Sequence, residues 1–438
     1  MISTRTRAAV SVGAVVGDLS RRLGRGAGSV VGGRATLAID PQALGRLAAG
    51  HAVALVSGTN GKTTTTSLLA AALAHRGDVV SNIRGANLPS GLTAALAAGV
   101  PGAPAALEVD EAWVGRVVAA TRPEVAVLLN LSRDQLDRNN EVRRLAASWR
   151  ETFAGPSSPA VIANADDPLV VWGAGAAPDV TWVGAGQRWT ADASGCPNCG
   201  NRIVFAAAAA ATTTTAASAT AASATAGDAG AAGWACSVCS LRRPRLAVWV
   251  EDGEIVNRAG RRLPLTLSLP GRCNQANAAL ALTAAERLGA DPEAALSAMS
   301  GVEEVGGRYR VVTVGSTRAR LLLSKNPAGW LEVFDLLAPA PGPVVVAINA
   351  RVADGRDPSW LWDVPFERLR GRFVVATGER GRDLAVRLRY AEVEHHRVDD
   401  MVSAVIAAGP GDVDVVANYT SFQSLAARLG RHRPGRHP

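Results

Sequence analysis

Two short patterns carry the residues most able to do chemistry. The first is "VALVSGTNGKTTTT" at 53–66, an apolar run that enters a Gly-rich turn and leaves through Lys62 and a row of threonines. Glycines let backbone N–H groups turn toward phosphate oxygens, and the start of the following helix adds its dipole. Lys62 can reach the outer phosphates and the Thr63 hydroxyl can ligate magnesium. The full G-x-x-x-x-G-K-[ST] pattern is not met, because Val56 stands where its first glycine belongs. The alternative is a plain strand–turn–helix that binds nothing. The second pattern is "CPNC" (196–199) with "CSVC" (236–239). Each pair is a tight turn that can offer two thiolates to one tetrahedral ion, so Cys196, Cys199, Cys236 and Cys239 read as a structural Cys₄ zinc ribbon. Two disulfides or redox pairs are the alternative, which a cytosolic setting disfavours.

Lysine usage sharpens the first pattern. The chain has 46 basic residues, yet only Lys62 and Lys325 are lysines. Either an ammonium point charge is needed at these two places, where a planar guanidinium would not fit, or they are chance survivors of a compositional bias toward arginine. The net charge is +8, spread along the chain apart from a basic end, "RLGRHRPGRHP". That charge allows contact with nucleic acid or an anionic membrane. Aromatic content is only 4 %, and no basic–aromatic interleaving marks a stacking platform. No apolar run reaches the length of a membrane span. The opening "MISTRTRAAVSVGAVVGDLSRR" looks like a weak signal peptide without a cleavage site. It is expected to be an N-terminal helix, close to a membrane in one reading.

The elements that must hold these residues follow from periodicity. Residues 1–50 read as an arm. Apolar strands are expected at 52–57, 105–109, 125–130 and 160–164, with helices at 63–75 and 141–153 between them. That alternation implies a doubly wound parallel sheet over 51–309. A composition shift at 187–245 marks the zinc-ribbon insertion. Its Ala/Thr/Ser tract, 206–233, has no core-forming residues and is expected to be disordered. A second α/β domain is expected over 310–438, with strands at 344–349, 372–377 and 413–418 and a helix at 381–390. With 438 residues and 48 % hydrophobic content, both cores can be filled.

"SGTNGKTTTT" resembles the nucleotide loop of the Mur ligase family, which includes folylpolyglutamate synthase. "RGANLPSG", "LEVDEA", "NLSRDQLDR", "NADDP", "GRCNQANAALAL" and "GGRYR" follow in the family's order. The resemblance implies a P-loop, Mur ligase-like central domain and a Rossmann-like C-terminal α/β domain. It implies nucleotide contacts from Gly58, Thr59, Asn60, Gly61, Lys62, Thr63, Thr64, Asn87, Asn277, Arg308 and Lys325, and magnesium on Thr63 and Glu108. Three departures stand out. Gln135 replaces the family's second-metal histidine. "LLLSKNPAG" puts Leu322 and Lys325 where relatives have the Asp and His of D-Y-A-H-N-P. No lysine lies between 63 and 324, so the carbamylated lysine of amino-acid-adding members is absent.

The inserted ribbon, "NARVADGRDPSWLWD" and "NYTSFQSLAARL" resemble the branch of this family formed by ligase subunits of lipid II isoglutaminyl synthases. That resemblance implies ATP-dependent amidation of the D-glutamate α-carboxyl of the lipid II stem peptide, through an acyl phosphate, in peptidoglycan synthesis. Cys273, the one cysteine outside the ribbon, has no nucleophile elbow, so this chain has no glutaminase centre of its own; the resemblance implies a partner glutaminase related to class I glutamine amidotransferases as the source of ammonia. Catalytic roles fall to Lys62, Arg308 and an aspartate completing the partner's Cys–His pair, with Asp357 favoured over Asp354. Trp360 and Trp362 are interface anchors or plain core. The expected location is cytoplasmic, at the inner face of the membrane in one reading. Rival readings are an amino-acid ligase of folylpolyglutamate type and a zinc-ribbon P-loop ATPase that binds nucleic acid.

Overall fold

The computed structural model describes residues 3–23, 28–82, 86–133, 142–206, 233–303, 305, 309–337 and 342–429. Almost all of the Ala/Thr/Ser tract, together with Gln135 and Arg308, lies outside the described residues. The chain divides into two compact units. The first comprises Met1–Leu131, Val142–Ser268 and Arg272–Val302. The second comprises Ser132–Glu141, Leu269–Gly271 and Glu303–Pro438.

The strands of the first unit are β1 (Val53–Ser57), β2 (Val80–Ser81), β3 (Ala105–Val109), β4 (Val125–Leu128), β5 (Ala160–Asn164), β6 (Val180–Gly184), β7 (Ile203–Phe205), β8 (Trp234–Cys236), β9 (Val248–Glu251), β10 (Glu254–Asn257) and β11 (Arg262–Pro264). Nine of them form one sheet in the order β11-β10-β9-β6-β5-β4-β1-β3-β2. β1 pairs in parallel with β3 and β4, and β4–β5–β6 continue in parallel. Every residue of β1, β3 and β4 is buried, the burial that a parallel sheet covered on both faces demands. The helix Val142–Phe153 turns Leu145, Ala146, Trp149 and Phe153 inward, a one-sided stripe at helical spacing. Those residues meet Leu55, Leu107 and Leu128 in one core.

β4 ends two residues short of the expected 125–130. Leu129 N–H still donates to the carbonyl of Ser57 at the end of β1, and the Asn130 carbonyl turns to accept from Thr59 N–H in the loop beyond it. Sequence patterning did not mark β9–β11. They are three- and four-residue strands joined antiparallel at the edge of the sheet, too short for periodicity to register. β7 and β8 form a separate two-stranded hairpin.

The second unit has β12 (Tyr309–Val314), β13 (Thr317–Leu323), β14 (Val344–Ala347), β15 (Val374–Thr377), β16 (His395–Arg397) and β17 (Gly411–Ala417). Their order is β12-β13-β17-β14-β15-β16. β13 through β16 are parallel neighbours and β12 pairs antiparallel at one edge. One face packs Trp330, Phe334 and Phe366; the other packs Phe422, Leu425 and Val405. Helices on both faces of a mostly parallel sheet are a Rossmann-like arrangement. The expected helix at 381–390 is Gly381–Tyr390.

Candidate functional site

The loop after β1 sits where the chain's direction across the sheet reverses. β1 feeds toward β2 on one side while its neighbour β4 feeds toward β5 on the other. Ligands of open α/β sheets bind at such a switch point. Two glycines shape the turn. Gly58 has φ +145°, and a Cβ there would lie 2.8 Å from Leu129 Cβ. Gly61 has φ +87°, and a Cβ there would lie 2.8 Å from Asn277 Oδ1. Only glycine tolerates both the conformation and the approach.

Asn130 fastens the loop from the far side. Its carbonyl accepts from Thr59 N–H at 2.8 Å, its Oδ1 accepts from Asn60 N–H at 2.9 Å, and its Nδ2 donates to the Asn60 carbonyl at 3.0 Å. The helix Lys62–Ala74 follows, with Lys62, Thr63 and Thr64 buried in its first turn. Thr63 Oγ1 donates to Glu108 Oε2 at 2.8 Å. Glu108, at the end of β3, is held by Asn82, which accepts from its N–H at 2.7 Å and donates to its carbonyl at 2.8 Å. A hydroxyl and a carboxylate are the oxygen donors magnesium prefers, so the residues present fit that ion.

Lys62 is the buried cation of the site. Nζ donates to the Gly58 carbonyl and lies 3.2 Å from Glu111 Oε2. Glu111 is itself fixed where Trp149 Nε1 donates to its carbonyl at 3.0 Å. The carboxylate neutralises the buried ammonium.

The structure therefore gathers Gly58, Thr59, Asn60, Gly61, Lys62, Thr63, Glu108 and Asn277 about one loop. Asn87 is anchored nearby, its carbonyl accepting from Asp110 N–H at 3.0 Å. Cys273 lies in the first turn of the helix Arg272–Arg287 that carries Asn277. Sequence reasoning missed Glu111 and Asn130 as participants, although both lie inside motifs it quoted. It also gave no role to Asp167 of "NADDP". That buried side chain accepts from Leu131 N–H at 2.8 Å and caps the helix Pro168–Ala174. Burial pushes its carboxyl up to about 6 against the opposing pull of these N–H groups.

The four cysteines stand on the hairpin side of the first unit. Cys196 Sγ lies 3.6 Å from Cys239 Sγ, and Cys199 Sγ lies 3.5 Å from Cys236 Sγ. All four sulfurs fall within 4.8 Å of one another. Disulfide sulfurs would be about 2 Å apart, whereas thiolates on one tetrahedral zinc at about 2.3 Å sit just under 4 Å apart. The cluster fits a zinc ribbon. Asn201 N–H groups pull the Cys199 thiol down to about 6 and Leu241 N–H and the Asn198 side chain lower Cys239, whereas burial pushes the Cys196 thiol up to about 12. Two contacts bind the hairpin and the segment after it to "NADDP": Trp234 Nε1 of β8 donates to the Ala165 carbonyl at 3.0 Å, and Arg243 Nε, beyond "CSVC", to Asp166 Oδ1 at 2.6 Å.

In the second unit, Lys325 is half-buried between β13 and the helix Pro327–Leu337, and Leu322 is buried in the core. The two candidate aspartates differ sharply. Asp354 is buried and braces the fold, accepting from Thr420 N–H at 2.8 Å, from Thr420 Oγ1 at 2.5 Å and from Arg351 N–H at 3.2 Å. Asp357 is exposed, with one oxygen accepting from Ser359 N–H at 2.8 Å. Trp360 packs against the core, while Trp362 stays exposed beside Tyr390, their ring centroids 5.4 Å apart.

Comparison with known proteins agrees with this layout. The Mur ligase middle-domain model matches residues 56–193, and the MurT ligase C-terminal model matches 323–422. The subunit MurT of lipid II isoglutaminyl synthase (glutamine-hydrolyzing) from Streptococcus pneumoniae is 29 % identical, over 84 % of this chain and 83 % of that one. Its Staphylococcus aureus counterpart is 26 % identical, over 95 % and 96 %. Among solved structures, a pseudomurein peptide ligase type C from Methanothermus fervidus superposes with a TM-score of 0.64 at 17 % identity, covering 87 % of this chain and 79 % of that one; at that identity the likeness is one of fold.

Proposed function

From a chain that joins a Mur ligase middle domain to a MurT ligase C-terminal domain, we propose the ATP-dependent ligase subunit of a lipid II isoglutaminyl synthase. It amidates the D-glutamate α-carboxyl of the lipid II stem peptide. That pairing of domains in one chain carries the reading; the MurT relatives align along nearly all of it. A glutamine-hydrolysing partner of class I amidotransferase type supplies ammonia.

The chemistry needs activation, because a carboxylate does not react with ammonia at neutral pH. The carboxylate oxygen attacks the γ-phosphorus of ATP while the bond to the departing ADP oxygen breaks. Ammonia then attacks the acyl carbon, gives up a proton, and inorganic phosphate leaves. Lys62 exchanges Glu111 for the γ-phosphate and neutralises the charge that develops on transfer. Arg308 is assigned the same task from its motif. Thr63 and Glu108 would hold magnesium, which when bound supplies further charge neutralisation. Gly58–Gly61 cradle the phosphates, and Asn87 and Asn277 add nucleotide contacts from the same unit; Lys325 is assigned to the nucleotide from its motif. Holding the reactants in line is the other large contribution of such a site.

The test uses the chain alone with MgATP and lipid II, given ammonium in one arm and glutamine in the other. Mass spectrometry of the stem peptide should show a hydroxyl replaced by an amine with ammonium only. No product in either arm counts against the proposal, and product with glutamine alone removes the need for a partner.

Zinc is the metal assigned to Cys196, Cys199, Cys236 and Cys239. Freshly purified protein should contain one zinc per chain by elemental analysis. Cys199→Ser should lose it and lower the unfolding temperature. Protein free of zinc would overturn the assignment.

A further inference from the structure

The first two helices, Thr4–Arg22 and Ser29–Ile39, make an antiparallel hairpin closed by small residues. Thr6, Ala9, Gly13, Gly17 and Ser20 form the buried side of the outer helix. Backbones touch there: a Cβ on Gly32 would lie 2.6 Å from the Gly13 carbonyl oxygen. Thr6 Oγ1 donates to Asp40 Oδ2 at 2.6 Å, locking the open end. The inner helix is held against the helix Pro89–Ala98, where a Cβ on Gly33 would lie 1.8 Å from the Ser90 carbonyl oxygen. The outer helix is thus fixed from one side and needs nothing on the other.

That other side is apolar. Val12, Val15, Leu19 and Leu23 are 45 to 69 % exposed. Their spacing places them along one face over about 16 Å. A surface helix ordinarily turns polar residues there. The same helix is basic. The outer helix carries Arg5, Arg7, Arg21 and Arg22 against a single acid, Asp18. Arg21 and Arg22 share that acid at 3.1 and 2.7 Å. Arg7 and Arg34 form no ion pair among the described residues. Among those residues no helix is long and apolar enough to cross a membrane.

An apolar stripe on a net basic helix is the pattern of a helix lying in a bilayer interface, with apolar side chains in the acyl boundary and guanidinium groups reaching lipid phosphates. A second copy of the chain fits less well. Four side chains cover much less than the roughly 800 Å² per partner of a stable interface, and two-fold pairing would bring like charges together. We propose that the hairpin is a peripheral docking element that seats Val12, Val15, Leu19 and Leu23 in an anionic membrane surface. This stands on the hairpin alone and does not depend on the ligase reading. It would bring the chain to the plane in which lipid-linked molecules lie.

The full chain would be sedimented with phosphatidylcholine vesicles, with and without phosphatidylglycerol. Binding is expected with phosphatidylglycerol at low salt and should weaken as salt rises. Val15→Asp with Leu19→Asp should weaken it by about tenfold or more, as should Arg7→Gln with Arg22→Gln, all with unchanged unfolding temperatures. If one pair of changes unfolds the protein, the other still decides. No vesicle binding overturns the proposal. So does binding that survives both pairs, which locates the contact elsewhere, such as the basic C-terminal end. Light scattering that shows the stripe changes dissolving a dimer overturns it too. The vesicles contain no lipid II, so failure here is separate from failure of the ligase reading.

Discussion

Lys62→Arg should abolish ATP-dependent amidation, by about a hundredfold to a thousandfold or more, even with saturating ammonium. The substitution keeps the charge and removes the fit. Nζ is buried and donates to the Gly58 carbonyl 2.5 Å away, inside a turn whose glycines admit no additional atom. A planar guanidinium is larger, and its fixed fork cannot place one compact charge on the γ-phosphate. Its neighbour behaves differently. Lys62→Ala leaves Glu111 buried without its cation, and removing one partner of a buried pair costs about 3–5 kcal/mol of stability. Glu111→Gln removes the internal competitor for Lys62, so nucleotide affinity should rise rather than fall. Product formation with ammonium, nucleotide binding by calorimetry and the unfolding temperature separate these effects. Activity of Lys62→Arg within tenfold of the parent would remove Lys62 from the phosphate-binding role.

How far these residues could be read in advance depends on where their partners lie in the chain. β1, β3, β4 and β5 are mostly apolar runs, broken only near their ends by Ser57, Glu108 and Asn164, and burial on both faces makes such runs visible. The loop was visible because glycines and one retained lysine stand next to each other. Glu111 and Asn130 were not, because their partners lie 49 and 70 residues away. A carboxylate three positions from Glu108 has no local sign of facing Lys62. The cysteines were visible through their paired spacing, yet the bond from Arg243, beyond "CSVC", to Asp166 spans 77 residues and follows only from folding. The outer stripe of the first helix was hidden by composition. Glycine, alanine and valine read as a weak apolar segment until the Gly13–Gly32 contact shows which side is already filled.

The aspartates after β14 give the sharpest contrast between pattern and structure. In "ADGRDPSW" both are turn formers, and only burial separates them. Asp357→Asn should leave ammonium-driven amidation and the unfolding temperature unchanged while cutting glutamine-driven amidation by about a thousandfold or more in the complex with the glutaminase. A carboxylate that orients a catalytic histidine is worth that much when replaced by its isosteric amide, because the amide favours the wrong tautomer. Asp354→Asn should fail in a different way. Its carboxylate takes two donors from Thr420 and one from Arg351. An amide would turn an N–H group toward at least one of them, at about 1–3 kcal/mol for a buried mismatch. A domain of this size should then unfold several degrees lower, with both nitrogen sources affected together. Loss of glutamine-driven activity alone from Asp354→Asn, with Asp357→Asn silent, would reverse the assignment, since an exposed carboxylate can reach into a partner's active site and a buried one braced on Thr420 cannot do so without releasing the strand end that Asn418 and Asn349 hold together.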